Sequence, residues 1–199
     1  DFFYDRVIRS GLTIDELFET IKKLEVINIR LDADDDPQLI FESLNSTGLD
    51  LSEADKIRNY LFMSLSPTEQ DDLYNRFWNP IEVFTKYDPS SFVRDYLTMK
   101  QGKIGRIDKI YFIFKEYAEG NNMARADLLE DMHHYAKIYS QIDNAKAGTD
   151  KLNQKLSQLR TLDSTIAYPF FMAFFDYASK NDLPESEICR VIDVIESYW

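Results

Sequence analysis

Glu130, His133 and His134 are the residues of this chain best suited by type to chemistry. A carboxylate and an imidazole three or four residues apart share one helix face and can hold a metal ion. A di-metal site in a helical bundle needs that Glu-x-x-His pair twice, and the chain has only these two histidines. Neighbouring histidines also point about 100° apart on a helix, so one ion cannot easily take both. The three residues therefore read as a solvated helix flank, with a metal site built on Glu130 and His134 as the sharper alternative. Asp32, Asp34, Asp35 and Asp36 offer oxygen ligands. They lack the glycine and closing glutamate of an EF-hand loop, and read as the acidic start of a helix.

Other chemistries find fewer parts. Gly102-Lys103-Ile104-Gly105-Arg106 is too short for a phosphate-binding P-loop and has no following Ser or Thr. No Ser-His-Asp arrangement is evident. Cys189, the single cysteine, lies in an apolar helical stretch and reads as a small buried hydrophobe. Arg94, Lys100, Lys103, Arg106 and Lys109 gather around the glycine-bearing loop, with only Asp95 and Asp108 among them. If the stretch is helical, Lys103, Arg106 and Lys109 share a face. Lys100, Lys103, Arg106 and Lys109 are then candidates for DNA-phosphate contacts, against the plainer reading of a solvated face.

The elements that must position these groups are mostly helices. Between Asp36 and Leu65 the grammar is helix, tight stop, capped helix. Asp36 and Pro37 open a short helix with Ile40, Phe41 and Leu44 on one side. Gly48 stops it, since a left-handed residue after a helix is cheapest for glycine. Ser52 caps the next helix with Asp55 three residues on, and Ala54, Ile57, Leu61 and Leu65 fall on one stripe. By residue type alone, Asn45 and Ser46 in the intervening turn satisfy backbone groups at a helix end.

The run Phe41-x-x-x-Asn45-x-x-Gly48-x-x-Leu51, followed by Asp55-x-Ile57-Arg58-Asn59-x-Leu61, resembles the signature of the family called domain of unknown function 262. That domain is the N-terminal half of GmrSD-like, modification-dependent restriction systems. The resemblance covers residues 12 to 65 well and the later helices loosely. It implies a ParB-like, nucleotide-binding domain, whose C-terminal part is residues 1–65, with Phe41 and Asn45 as nucleotide-pocket candidates. It further implies that residues 66–199 are a helical domain leading to an HNH nuclease half, since Ile195-Glu196-Ser197-Tyr198-Trp199 resembles the helix that enters it. The family's Asp-Gly-Gln-Gln-Arg motif and the nuclease histidines are absent from this sequence.

The expected function is thus that of a fragment, inactive alone, of a bacterial phage-defence endonuclease that cuts modified foreign DNA in a nucleotide-dependent way. Nucleoside triphosphate and divalent metal belong to the full-length protein, and none is expected in this fragment. The expected partners are modified DNA and the protein's own missing domains, with oligomerisation open. A helical protein–protein interaction module without catalysis is the alternative.

Other features agree with a fragment. The chain starts at Asp1 and ends at Trp199 inside an apolar helical pattern with no stop signal. Glu25 to Leu31 alternates like a strand and has no evident partner strand. The expected fold is mainly α: a multi-helix array with at most one or two short strands left from the truncated ParB-like domain. Hydrophobic residues at 44% and aromatics at 14% of 199 residues are enough for a sizeable core. The longest apolar run, Tyr168 to Phe175, is far short of the ~20 residues that span a bilayer, and one cysteine fits a reducing, cytoplasmic setting. The net charge of −12 opposes general nucleic-acid binding and leaves room only for a local basic patch.

Helices are expected in turn along the chain. Thr13 and Glu16 form a capping box for one running to Leu24. Ser66, Pro67 and Glu69 start another, ending near Asn79 where Pro80 interrupts or kinks it. Ile107, Ile110, Tyr111, Phe114 and Tyr117 make one stripe, and Leu128, Met132, Tyr135, Tyr139 and Ile142 a second. Ala145 to Thr149 reads as a linker. Leu152, Leu156 and Leu159 begin a helix, an aromatic helix surrounds Phe170, Phe171, Phe174 and Phe175, and Pro184 starts the last.

Overall fold

The computed structural model describes residues 2–25, 28, 51–63, 65–161 and 165–197. The chain divides into two compact units, Asp1–Leu44 and Asn45–Trp199. The fold is mainly α, and no strand occurs among the described residues. Phe41, Asn45, the turn around Gly48 and nearly all of the expected strand Glu25–Leu31 lie outside the described residues.

In the first unit, α1 (Phe2–Arg9) and α2 (Ile14–Ile21) are joined through Gly11 in a left-handed conformation, φ 69°. The capping box is present in both directions. The Thr13 backbone N–H donates to Glu16 Oε2 at 2.8 Å, and the Glu16 N–H donates to Thr13 Oγ1 at 3.2 Å. The helix ends at Ile21 rather than Leu24.

The second unit is one helical array. It comprises α3 (Glu53–Phe62), α4 (Pro67–Leu73), a π segment (Tyr74–Trp78), α5 (Asn79–Phe84), α6 (Pro89–Gln101), α7 (Ile110–Asn121), α8 (Arg125–Asp143), α9 (Asp150–Thr161), α10 (Tyr168–Lys180) and α11 (Glu185–Glu196). Short 3₁₀ turns, Ile107–Lys109 and Thr165–Ala167, lead into α7 and α10. Ala54, Ile57, Leu61 and Phe62 of α3 are buried, and Ile57, Leu61 and Phe62 belong to the same core as the helices that follow.

Pro80 does not end its helix. The chain widens into a π turn, in which the Asn79 N–H bonds back to the Tyr74 carbonyl, and Pro80 then sits in the first turn of α5, where its missing N–H is harmless. Thr85 ends α5 with its hydroxyl bonded to the Ile81 carbonyl at 2.9 Å.

α6 is the element that the apolar periodicity above does not announce. Asp88 caps it, accepting the Ser91 N–H, Pro89 occupies the first turn, and Gly102 closes it in a left-handed conformation, φ 67°. It runs through the core beside α3, α7, α8 and α10, burying Phe92, Val93, Tyr96 and Leu97. Burial of side chains this size is worth about 1.5–3 kcal/mol each. α8 packs on α5, α6, α9 and α10, while α9 pairs with α11 through an ion pair between Lys155 and Asp193. Of the stripe expected from Ile107, Ile110, Tyr111 and Phe114 are buried, while Ile107 stays in the 3₁₀ turn and is largely outside the core.

Candidate functional site

The second half of the run that begins at Phe41 lies in α3, and Glu53, the Ala54 N–H and Arg58 tie this helix to its neighbours. Ser52 caps it, accepting the Asp55 N–H at 3.1 Å. The Ala54 N–H donates to Ser90 Oγ at the start of α6, 3.1 Å away, and Glu53 Oε2 accepts the Tyr111 N–H at the start of α7, at 2.9 Å. A carboxylate facing the first N–H groups of α7 meets orphan donors and the positive end of the helix dipole. Arg58 pairs with Asp55 at 2.9 Å within α3 and with Glu82 of α5 at 3.3 Å.

Glu82 is the busiest carboxylate of this region. It accepts Trp78 Nε1–H at 2.7 Å, the Tyr74 hydroxyl at 3.2 Å and Arg58. Trp78 and Ile57 are both buried. Beyond α3, Arg125 at the start of α8 donates to the Met63 carbonyl, a group the helix leaves without an internal partner. The signature helix is therefore joined by directional bonds to α5, α6, α7 and α8.

The basic residues do not form one helical face. α6 ends at Gln101, and residues 103–106 are non-helical. Gly105 there lies so close on α7 that a Cβ would stand 2.8 Å from Ile113 Cδ1. Lys100 turns inward, bonding Asp131 of α8 at 2.8 Å and lying 4.5 Å from the Tyr135 ring centre. Arg106 makes a bidentate pair with Asp108, at 3.0 and 2.7 Å. Lys103 and Lys109 are exposed.

The two histidines diverge, as the helix geometry requires. His133 packs beside the Phe77 and Phe84 rings, with centroids 5.8 and 5.7 Å away. Burial there, with help from Lys137 and His134, holds its imidazole below its ordinary pKa. His134 instead bonds through Nε2 to Asp176 Oδ1 of α10 at 2.8 Å, and Glu130 is exposed. Among the described residues no group of three or more His, Cys, Asp or Glu side chains is placed to hold a metal.

Around Asp176 the structure assembles a polar seam that spacing along the chain does not reveal. Its carboxylate accepts His134, the Tyr135 hydroxyl at 3.1 Å and Lys180 at 2.8 Å. Burial acts to raise the Asp176 pKa, but the three donors outweigh it and hold the carboxyl below its usual range. Tyr135 links this cluster to Lys100 and so to Asp131, which also accepts the Tyr96 hydroxyl at 2.6 Å. Burial, then the Asp131 carboxylate, pushes the Tyr96 phenol well up. One seam thus runs across α6, α8 and α10.

Asp95, on α6, is 3% exposed and half satisfied. Arg94 donates twice to Oδ1, at 3.1 and 3.0 Å, and Oδ2 has no partner. Burial pushes its carboxyl up to about 6, against the pull of Arg94.

No protein-family model matches the chain, and neither a curated protein nor a solved structure is significantly similar to it. No helix among the described residues is long and apolar enough to cross a membrane.

Proposed function

We propose that this chain is the coupling segment of a nucleotide-dependent restriction endonuclease resembling the GmrSD-type systems, and that its helical unit carries the state of the signature turn to a nuclease half. The observation that supports it is the anchoring of α3. Ser52, Glu53, Asp55 and Arg58 follow directly on the signature turn. Glu53 engages the N–H of Tyr111, the Ala54 N–H engages Ser90, and Arg58 engages Glu82. A shift of the turn that moves α3 must move α5, α6 and α7 with it, because packed helices joined by directional bonds respond as a unit rather than bending locally. Phe41 and Asn45 line or brace the nucleotide pocket in this scheme. Lys103 and Lys109 remain exposed for phosphate contact, whereas Lys100 is engaged by Asp131.

The test is cleavage by the full-length protein of glucosylated, methylated and plain DNA, with and without nucleoside triphosphate and divalent metal. Cutting confined to one modified DNA and dependent on nucleotide is the expected result. Asn45→Ala is expected to lose the nucleotide-dependent cleavage with the circular dichroism spectrum little changed; unchanged activity removes Asn45 from the site. No cutting under any condition, with the fold intact, overturns the endonuclease and leaves a helical interaction module. The net charge of −12 favours that second function, since it opposes broad contact with DNA.

A further inference from the structure

A groove of about 440 Å³ opens between α8, α9, α10 and α11, beside the Asp176 cluster. That size lies within the range of small-molecule sites. Its lining mixes two kinds of contact. Ile138, Leu152, Phe175, Leu183 and Ile188 supply an apolar wall, while His134, Lys137, Gln141 and Ser179 line it with donors. His134, Lys137, Ile138 and Gln141 stand at i, i+3, i+4 and i+7 of α8, so one face of one helix presents both kinds of contact.

The charge balance selects the ligand. Asp176 is already neutralised by Lys180 and shared with His134 and Tyr135. Lys137 pairs with no described carboxylate, although Asp182 lines the same groove. Of the two lining acids, Asp176 is offset by Lys180 and only Asp182 stands against the one available ammonium, with two neutral donors beside it. That balance suits a singly charged anion better than a phosphomonoester dianion. We propose that this groove binds a small amphipathic monocarboxylate, its carboxylate on Lys137 with Gln141 and Ser179, and its apolar body on Phe175, Leu183 and Ile188. The site is separate from the signature helix and does not depend on the coupling function.

Octanoate is the probe, added to the chain labelled with ¹⁵N and ¹³C in histidine. Only two histidine signals exist, and His134→Gln assigns them. The His134 signal is expected to shift saturably with octanoate, and by more than the His133 signal, whose ring packs on the Phe77 and Phe84 side and feels only the charge of Lys137. Lys137→Met keeps the apolar stem and removes the charge, and should weaken binding about tenfold or more, the loss expected of a charge-assisted hydrogen bond. Lys137 is exposed, so the variant should fold, which its amide spectrum checks. Absence of a saturable shift overturns the site. Equal affinity for 1-octanol, or unchanged affinity in Lys137→Met, overturns the carboxylate assignment, as does tighter binding of inorganic phosphate.

Discussion

Replacing Asp95 by asparagine should flatten the dependence of stability on pH. The wild-type carboxyl rises from 3.8 to about 6 on folding, roughly two units, or about 3 kcal/mol once the group is fully ionised. The sign is opposite to that of a salt-bridged aspartate. Because the folded pKa is raised, the folded state holds the proton longer than the unfolded chain. The penalty is absent below pH 3.8, grows as pH rises towards 6, and is constant above that. Between pH 5 and pH 8 the wild type should lose about 1.5 kcal/mol at this site, and Asp95→Asn none. The amide brings its own cost, since one end still faces the space where Oδ2 has no partner. That cost is independent of pH. The assay is urea unfolding of both proteins from pH 4.5 to 8.5, followed by circular dichroism. Groups common to both, His133 included, cancel in the difference. A difference that stays flat across the range would refute the burial of an ionisable, half-paired Asp95.

Three further outcomes are expected. Glu82→Ala leaves the Trp78 N–H and Arg58 without their acceptor and should cost about 2–3 kcal/mol in urea unfolding, with Glu82→Gln costing less because it keeps an oxygen there. Gly102→Ala should cost about 1 kcal/mol through backbone strain alone, since φ is 67° and open space surrounds the added methyl; a thermal melt unchanged by the substitution would argue against the left-handed cap. His133 should titrate below the ordinary imidazole range by NMR. A depressed folded pKa means that its contribution is present above the unfolded value and lost as pH falls, and His133→Phe should remove that acid-side loss.

Short-range chemistry made parts of this structure readable from the chain. The capping boxes of Thr13 with Glu16 and Ser66 with Glu69 appear with both bonds made, because a cap needs only residues within one turn. The divergence of His133 and His134 follows from helix geometry in the same way. α6 was harder to see. Its apolar residues Phe92, Val93, Tyr96 and Leu97 are interleaved with Arg94 and Asp95, and its signals lie at the ends, in Asp88, Pro89 and Gly102. The basic cluster illustrates the opposite failure: residues near in sequence were separated by the loop after Gly102, and Lys100 was drawn to a carboxylate 31 residues away.

By itself, the sequence determined a mainly helical protein, most of the helix starts, and the buried stripe of Ala54, Ile57 and Leu61 on α3, since capping and apolar periodicity act over a few residues. The tertiary structure alone decided where the charges went. Glu82 meets Arg58 across 24 residues and Asp176 meets His134 across 42, and Asp95 is sealed in the core with one oxygen unpaired. Such pairings depend on which helices pack side by side, and many partners are chemically equivalent along the chain. Only the closure of the core removes the alternatives by excluding water and fixing the distances.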